Sequence, residues 1–343
     1  MSVSVNNRGE ADYAAKMQQL AEALQQWPGP IVLVAHENPD GDALGSTLAL
    51  KRALDSIGNE TLLPLEPPHF LRFLAEEGEL SPPLQSLPPN CLLAVLDVAD
   101  KPRIDGITPA CFDEAAFVIN IDHHGTNDRF GDISCVEPRR AATAHMVKDL
   151  IEALAIPWTP AIATPCLTGI LTDTGNLRFS NTTPEVLQAV AALIDQGVAY
   201  AELTDRLQWR HPDYFRMLGQ VMNTVEFFLD GRLVMGHITL DMHRAMQASN
   251  DDSDDYVGIL RYAQGSQLAV LLKERDVGKV KVSARSRGAV SAQAVCVALG
   301  GGGHVAAAGA SLAMSLEEAK AAVLEAASSE LARHSHPDKG DKG

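Results

Sequence analysis

Residues of the kinds that bind divalent cations close three short apolar runs of this sequence. Ile31 to Ala35 leads into His36, Asp40 and Asp42; Leu92 to Leu96 leads into Asp97; Phe117 to Ile121 leads into Asp122, His123 and His124. A fourth stretch, Leu167 to Asn176, sets Asp173 at the end of a helix-like apolar segment. Imidazole and carboxylate donors without a thiolate suit manganese or a similar divalent ion better than a structural zinc. The donors are numerous enough for two ions that share a ligand. A metal pair about 3.5–4 Å apart clamps the attacking and leaving oxygens of a phosphoryl displacement and acidifies the attacking water, so no protein nucleophile is required. Taken singly, His36 reads as an ordinary surface or core histidine, Asp40-Gly41-Asp42 as a turn, and His123-His124 as incidental. Their joint occurrence after three successive apolar runs is what points to a metal site.

The elements that must position these residues follow from the runs themselves. Each is short, rich in branched aliphatics and bounded by turn residues, as suits a buried strand. Helical patterns lie at 11–26, before the break Trp27-Pro28-Gly29-Pro30, and from Ala43 to Ile57, before Gly58. Strands alternating with helices predict an α/β domain with a mainly parallel sheet. In such a sheet ligands bind beyond the carboxyl ends of the strands, where the three donor groups fall. A catalytic domain is expected over 1–190. Helices at 184–196, 199–208 and 212–228 suggest a helical connector, taken as 191–229. A smaller α/β domain is expected over 230–333. Its strands are GRLVMGHITL, QLAVLLKER and KVKVSARSR, the last two joined at Asp276-Val277-Gly278, and a helix near 291–299 precedes Gly300 to Gly303 and His304. Ser315 and Glu318 form a capping box for the last helix. The tail 334–343 reads as disordered, and the acidic run Asp251 to Asp255, which lacks calcium-loop spacing, as a solvated loop.

At these residues the sequence resembles a known family. HENPDGDALGS, LDVAD, Asp122-His123-His124 and TDTGNLRFSNTT resemble, in order, four motifs of the DHH phosphoesterases. VKVSARSRG followed by GGGGHVAAAGA resembles their associated C-terminal domain, and the wording is most similar to the oligoribonuclease (nanoRNase) and 3'-phosphoadenosine 5'-phosphate phosphatase group. The resemblance implies a first ion on His36, Asp40 and Asp97, and a second on Asp42, Asp97, His123 and Asp173, with Asp97 bridging. It implies two manganese ions, with magnesium or cobalt as substitutes. Asp122 would orient a neighbouring ligand, and His124 would face the substrate and stabilise phosphoryl charge. Gly301, Gly302, Gly303 and His304 would form the substrate loop, with Arg285 as a phosphate fork. Lys281 and Arg287 read equally well as exposed strand charges. One stretch departs from the family: Ala141, Ala142 and His145 stand where small hydroxyl residues and a glutamate are expected.

Bulk composition narrows the partners. Acidic residues number 44 against 28 basic ones, a net charge of -16, and no Lys/Arg-dense stripe offers a long nucleic acid a track. A short RNA or small nucleotide remains compatible, because bound cations invert the local field. The five cysteines are scattered, which fits reduced core thiols. No signal-peptide pattern or long apolar run appears, so a cytoplasmic protein without a membrane partner is expected. Four alternatives stand beside the short-substrate nuclease and bisphosphate nucleotidase reading. A cyclic-dinucleotide phosphodiesterase would bring sensor and membrane segments, and a RecJ-like exonuclease would need a further strand-binding domain. A pyrophosphatase or polyphosphatase would share only the first domain's motifs. A nucleotide sensor without activity would have lost metal residues, and none is lost here.

Overall fold

A computed structural model of the chain describes residues 3–246 and 255–334. Asp251 to Asp254 of the acidic run and the tail from Ser335 lie outside the described residues. The chain divides into two compact units, Met1–Trp209 and Arg210–Gly343.

The first unit runs α1 (Val3–Gln26), β1 (Ile31–Val34), α2 (Gly41–Ser56), β2 (Thr61–Leu62), β3 (Leu92–Leu96), α3 (Pro109–Glu114), β4 (Phe117–Asp122), β5 (Ile133–Val136), α4 (Thr143–Ala153), α5 (Pro160–Asp173), α6 (Pro184–Ile194) and α7 (Tyr200–Gln208). Its five strands are all parallel, in the order β2-β1-β3-β4-β5. Side chains alternate between two apolar layers. Ile31, Leu33, Leu92, Ala94 and Leu96 join the main core with residues of α1, α2, α4 and α5. Val32, Val34, Leu93 and Val95 face a smaller cluster that includes Val98 and Val118. Burial on both faces explains why these strands read as unbroken apolar runs. The pairing α2 against α5 is especially close: a Cβ on Gly45 would lie 2.4 Å from the Pro165 carbonyl oxygen, and one on Gly169 3.2 Å from the Asp42 Cα. Glycine at these two points lets the helices bearing Asp42 and Asp173 approach.

The second unit runs α8 (Pro212–Asn223), β6 (Glu226–Phe228), β7 (Leu233–Ile238), α9 (Leu240–Met246), α10 (Tyr256–Leu260), β8 (Leu268–Asp276), β9 (Lys279–Ser286), α11 (Ala292–Ala298), β10 (Gly302–His304), β11 (Ala307–Leu312) and α12 (Leu316–Arg333). Its mixed sheet has the order β10-β11-β9-β8-β7-β6. Val280, Val282 and Ala284 of β9 pack with α11 and α12 in one core. Tyr214, Met217 and Val221 of α8 pack with Ala269 and Leu271 in another. The capping box at Ser315 and Glu318 forms as the sequence suggests.

Three sequence readings are altered. The stretch 191–229 is shared between the cores: Leu193, Leu203 and Leu207 of α6 and α7 belong to the first unit, whereas α8 belongs to the second. The helix expected over 212–228 ends at Asn223, because Thr224 bonds both the Val221 and His237 carbonyls and turns the chain into β6, which pairs with β7. The four glycines are not one loop. Gly300, at φ +80°, terminates α11, while Gly302 and Gly303 pair with Gly309 and Ala308 as an edge strand. All five cysteines are free and buried. No helix among the described residues is long and apolar enough to cross a membrane.

Candidate metal centre

β1, β3 and β4 deliver their polar residues to the carboxyl edge of the parallel sheet, and α5 ends at the same place. Asp40 caps α2, its Oδ1 accepting from the amides of Asp42 and Ala43 at 2.9 and 3.1 Å. That places Asp42 in the first turn of α2, fully buried. Asp97 follows β3 at φ +60°, a left-handed conformation that a non-glycine residue adopts only under constraint. Its amide donates to the Ile121 carbonyl at 2.9 Å, tying the turn to β4.

Three donor groups result: His36, Asp40 and Asp97; Asp42, His123 and Asp173; and Asp97, His123 and His124. Asp97 belongs to two of them through different oxygens. Its Oδ2 lies 3.6 Å from His36 Nε2, and its Oδ1 lies 3.7 Å from His123 Nε2. His123 Nε2 also stands 3.2 Å from Asp173 Oδ2 and 3.8 Å from Asp42 Oδ2. His36 Nε2 is 3.9 Å from Asp40 Oδ1, while its Nδ1 contacts the Glu37 carbonyl at 2.8 Å. Ligand atoms each about 2.1 Å from one ion stand roughly 3–4.2 Å from one another across tetrahedral and octahedral geometries, so these separations suit coordination better than direct hydrogen bonding. An all-imidazole and carboxylate set selects a hard or borderline divalent cation.

The electrostatics give the same result. Burial, with the charges of Asp97, Asp173 and Asp40, drives the Asp42 carboxyl well above its ordinary range. Burial and the charges of Asp40 and Asp97 do the same to Asp173. For Asp97 burial pushes upward too, but the His36 imidazole beside it and the charges of His123 and His124 outweigh it and hold the carboxyl low. Burial lowers His123, and the Asp97 charge only partly offsets it. A cluster in which buried acids resist ionising is one that a cation stabilises.

His124 differs from the other imidazoles. Its Nδ1 sits 2.7 Å from Asp122 Oδ1, which also accepts from the His124 amide at 3.1 Å. Asp122 Oδ2 accepts from the Asn127 side-chain amide at 2.7 Å. The hydrogen-bond partners of Asp122 are thus His124 and Asn127. This bond, ahead of the opposing effect of burial, raises His124 to about 9. Asp122 thus holds the Nδ1 of one member of the third donor group.

Sequence reasoning missed the start of α4. The amides of Thr143 and Ala144 donate to Asp42 Oδ2 and Oδ1 at 2.7 and 2.8 Å, and the Thr143 hydroxyl donates to Asp97 Oδ1 at 2.9 Å. The Asn181 side-chain amide joins the Ala141 and Asp173 carbonyls at 3.2 and 3.1 Å. Backbone donors leave no compositional mark, but a threonine opening an apolar helical run was a visible cue. His145 lies inside this helix; its Nδ1 finds no hydrogen-bond partner among the described residues, and burial lowers it to about 4.

In the second unit Arg285 is half-buried on β9, opposite Ala307 of β11 and Ala269 of β8, and its Nη1 donates to the Ala284 carbonyl at 3.0 Å. Gly301 passes so near β11 that a Cβ would meet the Gly309 carbonyl oxygen at 2.1 Å. Gly302 and Gly303 are exposed, and the backbone of His304 pairs with Ala307.

Residues 30–170 match the DHH family, N-terminal domain, and residues 241–333 match the DHHA1 domain. A bifunctional oligoribonuclease and PAP phosphatase, NrnA, of Thermus thermophilus is 53% identical over 328 residues, covering 95% of this chain and 98% of the relative. The chain belongs to the DHH phosphoesterase family. It is a hydrolase acting on phosphate esters. Among other DHH relatives, the NrnA of Bacillus subtilis is 27% identical over 82% of this chain and 89% of its own length. An exopolyphosphatase-related protein from Bacteroides fragilis shares the fold, with a TM-score of 0.83 at 22% identity over 92% of this chain and 96% of that one. The DHH match carries the parallel sheet and the donors from His36 to His124, with Asp173 just beyond it; the DHHA1 match carries Arg285 and the glycine-rich strand.

Proposed function

We propose that this DHH phosphoesterase is a cytoplasmic enzyme that hydrolyses very short oligoribonucleotides and removes the 3'-phosphate of 3'-phosphoadenosine 5'-phosphate, using two manganese ions. The observation that carries the reading is the pair of donor groups meeting at the two oxygens of Asp97. The Thermus relative's name, at 53% identity, supports the substrate class. His36, Asp40 and Asp97 would hold one ion, and Asp42, Asp97, His123 and Asp173 the other. Bound there, the ions supply Lewis-acid activation of the phosphoryl group and of the attacking water.

The remaining chemistry belongs to side chains. Asp122 raises His124 in the metal-free site, which favours its protonated form. Asp122 engages Nδ1, and the imidazolium would stabilise charge on a phosphoryl oxygen or protonate the departing one. Asn127 keeps Asp122 in place. On the second unit, Arg285 would take a substrate phosphate, and Gly301, Gly302, Gly303 and His304 would accept the nucleotide close to the backbone. A net charge of -16 without a basic stripe disfavours longer strands.

The test is a turnover panel with manganese, covering a diribonucleotide, a five-residue RNA, a twenty-residue RNA, adenosine bisphosphate, a cyclic dinucleotide and pyrophosphate. The dinucleotide and the bisphosphate should be the best substrates, the gap to the twenty-residue RNA narrowing as salt rises. Preference for pyrophosphate or the cyclic dinucleotide, or equal rates on the long RNA at low salt, overturns the assignment.

A further inference from the structure

The division of Asp97 between two donor groups depends on which way its carboxylate is turned. Torsion about the last bond of an aspartate is soft and broad, so the backbone alone does not fix it. At this position one contact does. The Thr143 hydroxyl, on a residue with no exposed surface, donates to Asp97 Oδ1 at 2.9 Å. With Oδ1 held toward α4 and His123, Oδ2 is left facing His36. The same turn of helix fixes the neighbouring acid: the Thr143 and Ala144 amides take one oxygen each of Asp42. Asp42 thereby sits at the positive end of α4, which favours its ionised form.

We propose that Thr143 is a positioning residue for the metal centre, its hydroxyl setting the carboxylate plane of Asp97 so that each oxygen serves a different ion. This rests on the two-ion reading above. The residue touches neither substrate nor reacting atoms; it acts through Asp97. Its two functions are separable by substitution, because the amide remains in any variant while the hydroxyl does not. Thr143→Val keeps the shape and the bonds to Asp42 and removes only the donor to Asp97. Thr143→Ser keeps the donor and removes the methyl group.

Calorimetric titration of the metal-free full-length protein with manganese chloride reads the effect directly. The wild type should bind two ions. Thr143→Val should weaken at least one of them about 10–100-fold, the usual consequence of losing a contact that orients a ligand. The manganese concentration giving half-maximal rate should rise by the same factor, with KM for substrate unchanged at saturating metal. Thr143→Ser should return both to within about threefold. Wild-type affinity in Thr143→Val overturns the inference while leaving the two-ion reading intact. A serine variant as weak as the valine variant also overturns it, since packing of the methyl would then be the cause, and this comparison holds even if the valine variant folds poorly. A wild-type protein that binds fewer than two ions overturns the reading beneath it instead.

Discussion

The parallel sheet of the first unit and the mixed sheet of the second carry charge in different ways. Strands β1 and β3 are buried along both faces, so no ionisable side chain is placed within them. Their polar residues emerge at the carboxyl ends and converge; there Asp42, with Asp173 of α5, is driven upward in pKa by burial and neighbouring carboxylates, while Asp97 is held low by the imidazoles around it. β9 alternates instead: Val280, Val282 and Ala284 enter the core, and Lys281 and Arg285 stand on the opposite face at intervals along the strand. The first arrangement concentrates charge at an edge; the second spaces basic side chains along a face. Parallel strands export chemistry to an edge, and antiparallel strands can present it along a face.

The largest test of this contrast is Asp97→Ala. With the shared carboxylate removed, manganese binding should drop for both ions and turnover should fall more than about 1,000-fold. Near-normal turnover with two ions bound would end the bridging assignment. Arg285→Ala and His304→Ala probe the other side: turnover should fall by roughly 1.5–3 kcal/mol of transition-state stabilisation with metal content unchanged. Loss of metal in either variant would mean that the two units do not divide the work in this way.

Two smaller effects concern pH. Asp42 and Asp173 have folded pKa values above the ordinary 3.8, so the folded metal-free protein holds protons more tightly than the unfolded chain. Their contribution is therefore lost as pH rises above about 4. His124 adds a loss in the same direction, its stabilisation being complete below its ordinary 6.5 and gone as pH rises through about 9. Asp97, held low, opposes both. Melting temperatures with and without manganese should diverge more at pH 8 than at pH 5; an equal gap would contradict the cluster's electrostatics. The last effect is that of His145, whose pKa falls from 6.5 to about 4 through burial. Its neutral form supports the fold above about pH 6.5, and that support is lost progressively as pH falls toward 4, up to roughly 3 kcal/mol. His145→Gln should flatten this acid limb in the metal-bound protein, and an unchanged limb would assign it to other groups.

Much of the architecture was legible because it rests on local rules. The apolar runs ending at Val34, Leu96 and Asp122 suited buried parallel strands, whose carboxyl ends share an edge. That the donors at those ends hold ions is a matter for the titrations above. Ser315 and Glu318 specified a helix start by their own spacing. What the sequence left open depended on partners distant along the chain. Thr143 is 46 positions from Asp97, and the amides that hold Asp42 are over 100 positions away from it, so no pattern within a segment announces them. Whether four glycines form a loop or an edge strand was settled by β11, which offers Gly302 and Gly303 a hydrogen-bonding ladder. Composition and spacing determined which residues reach the edge of the sheet. The turn of the Asp97 carboxylate and the grip of α4 on Asp42 were decided by tertiary contact, because hydrogen bonds between remote elements exist only once the chain has folded.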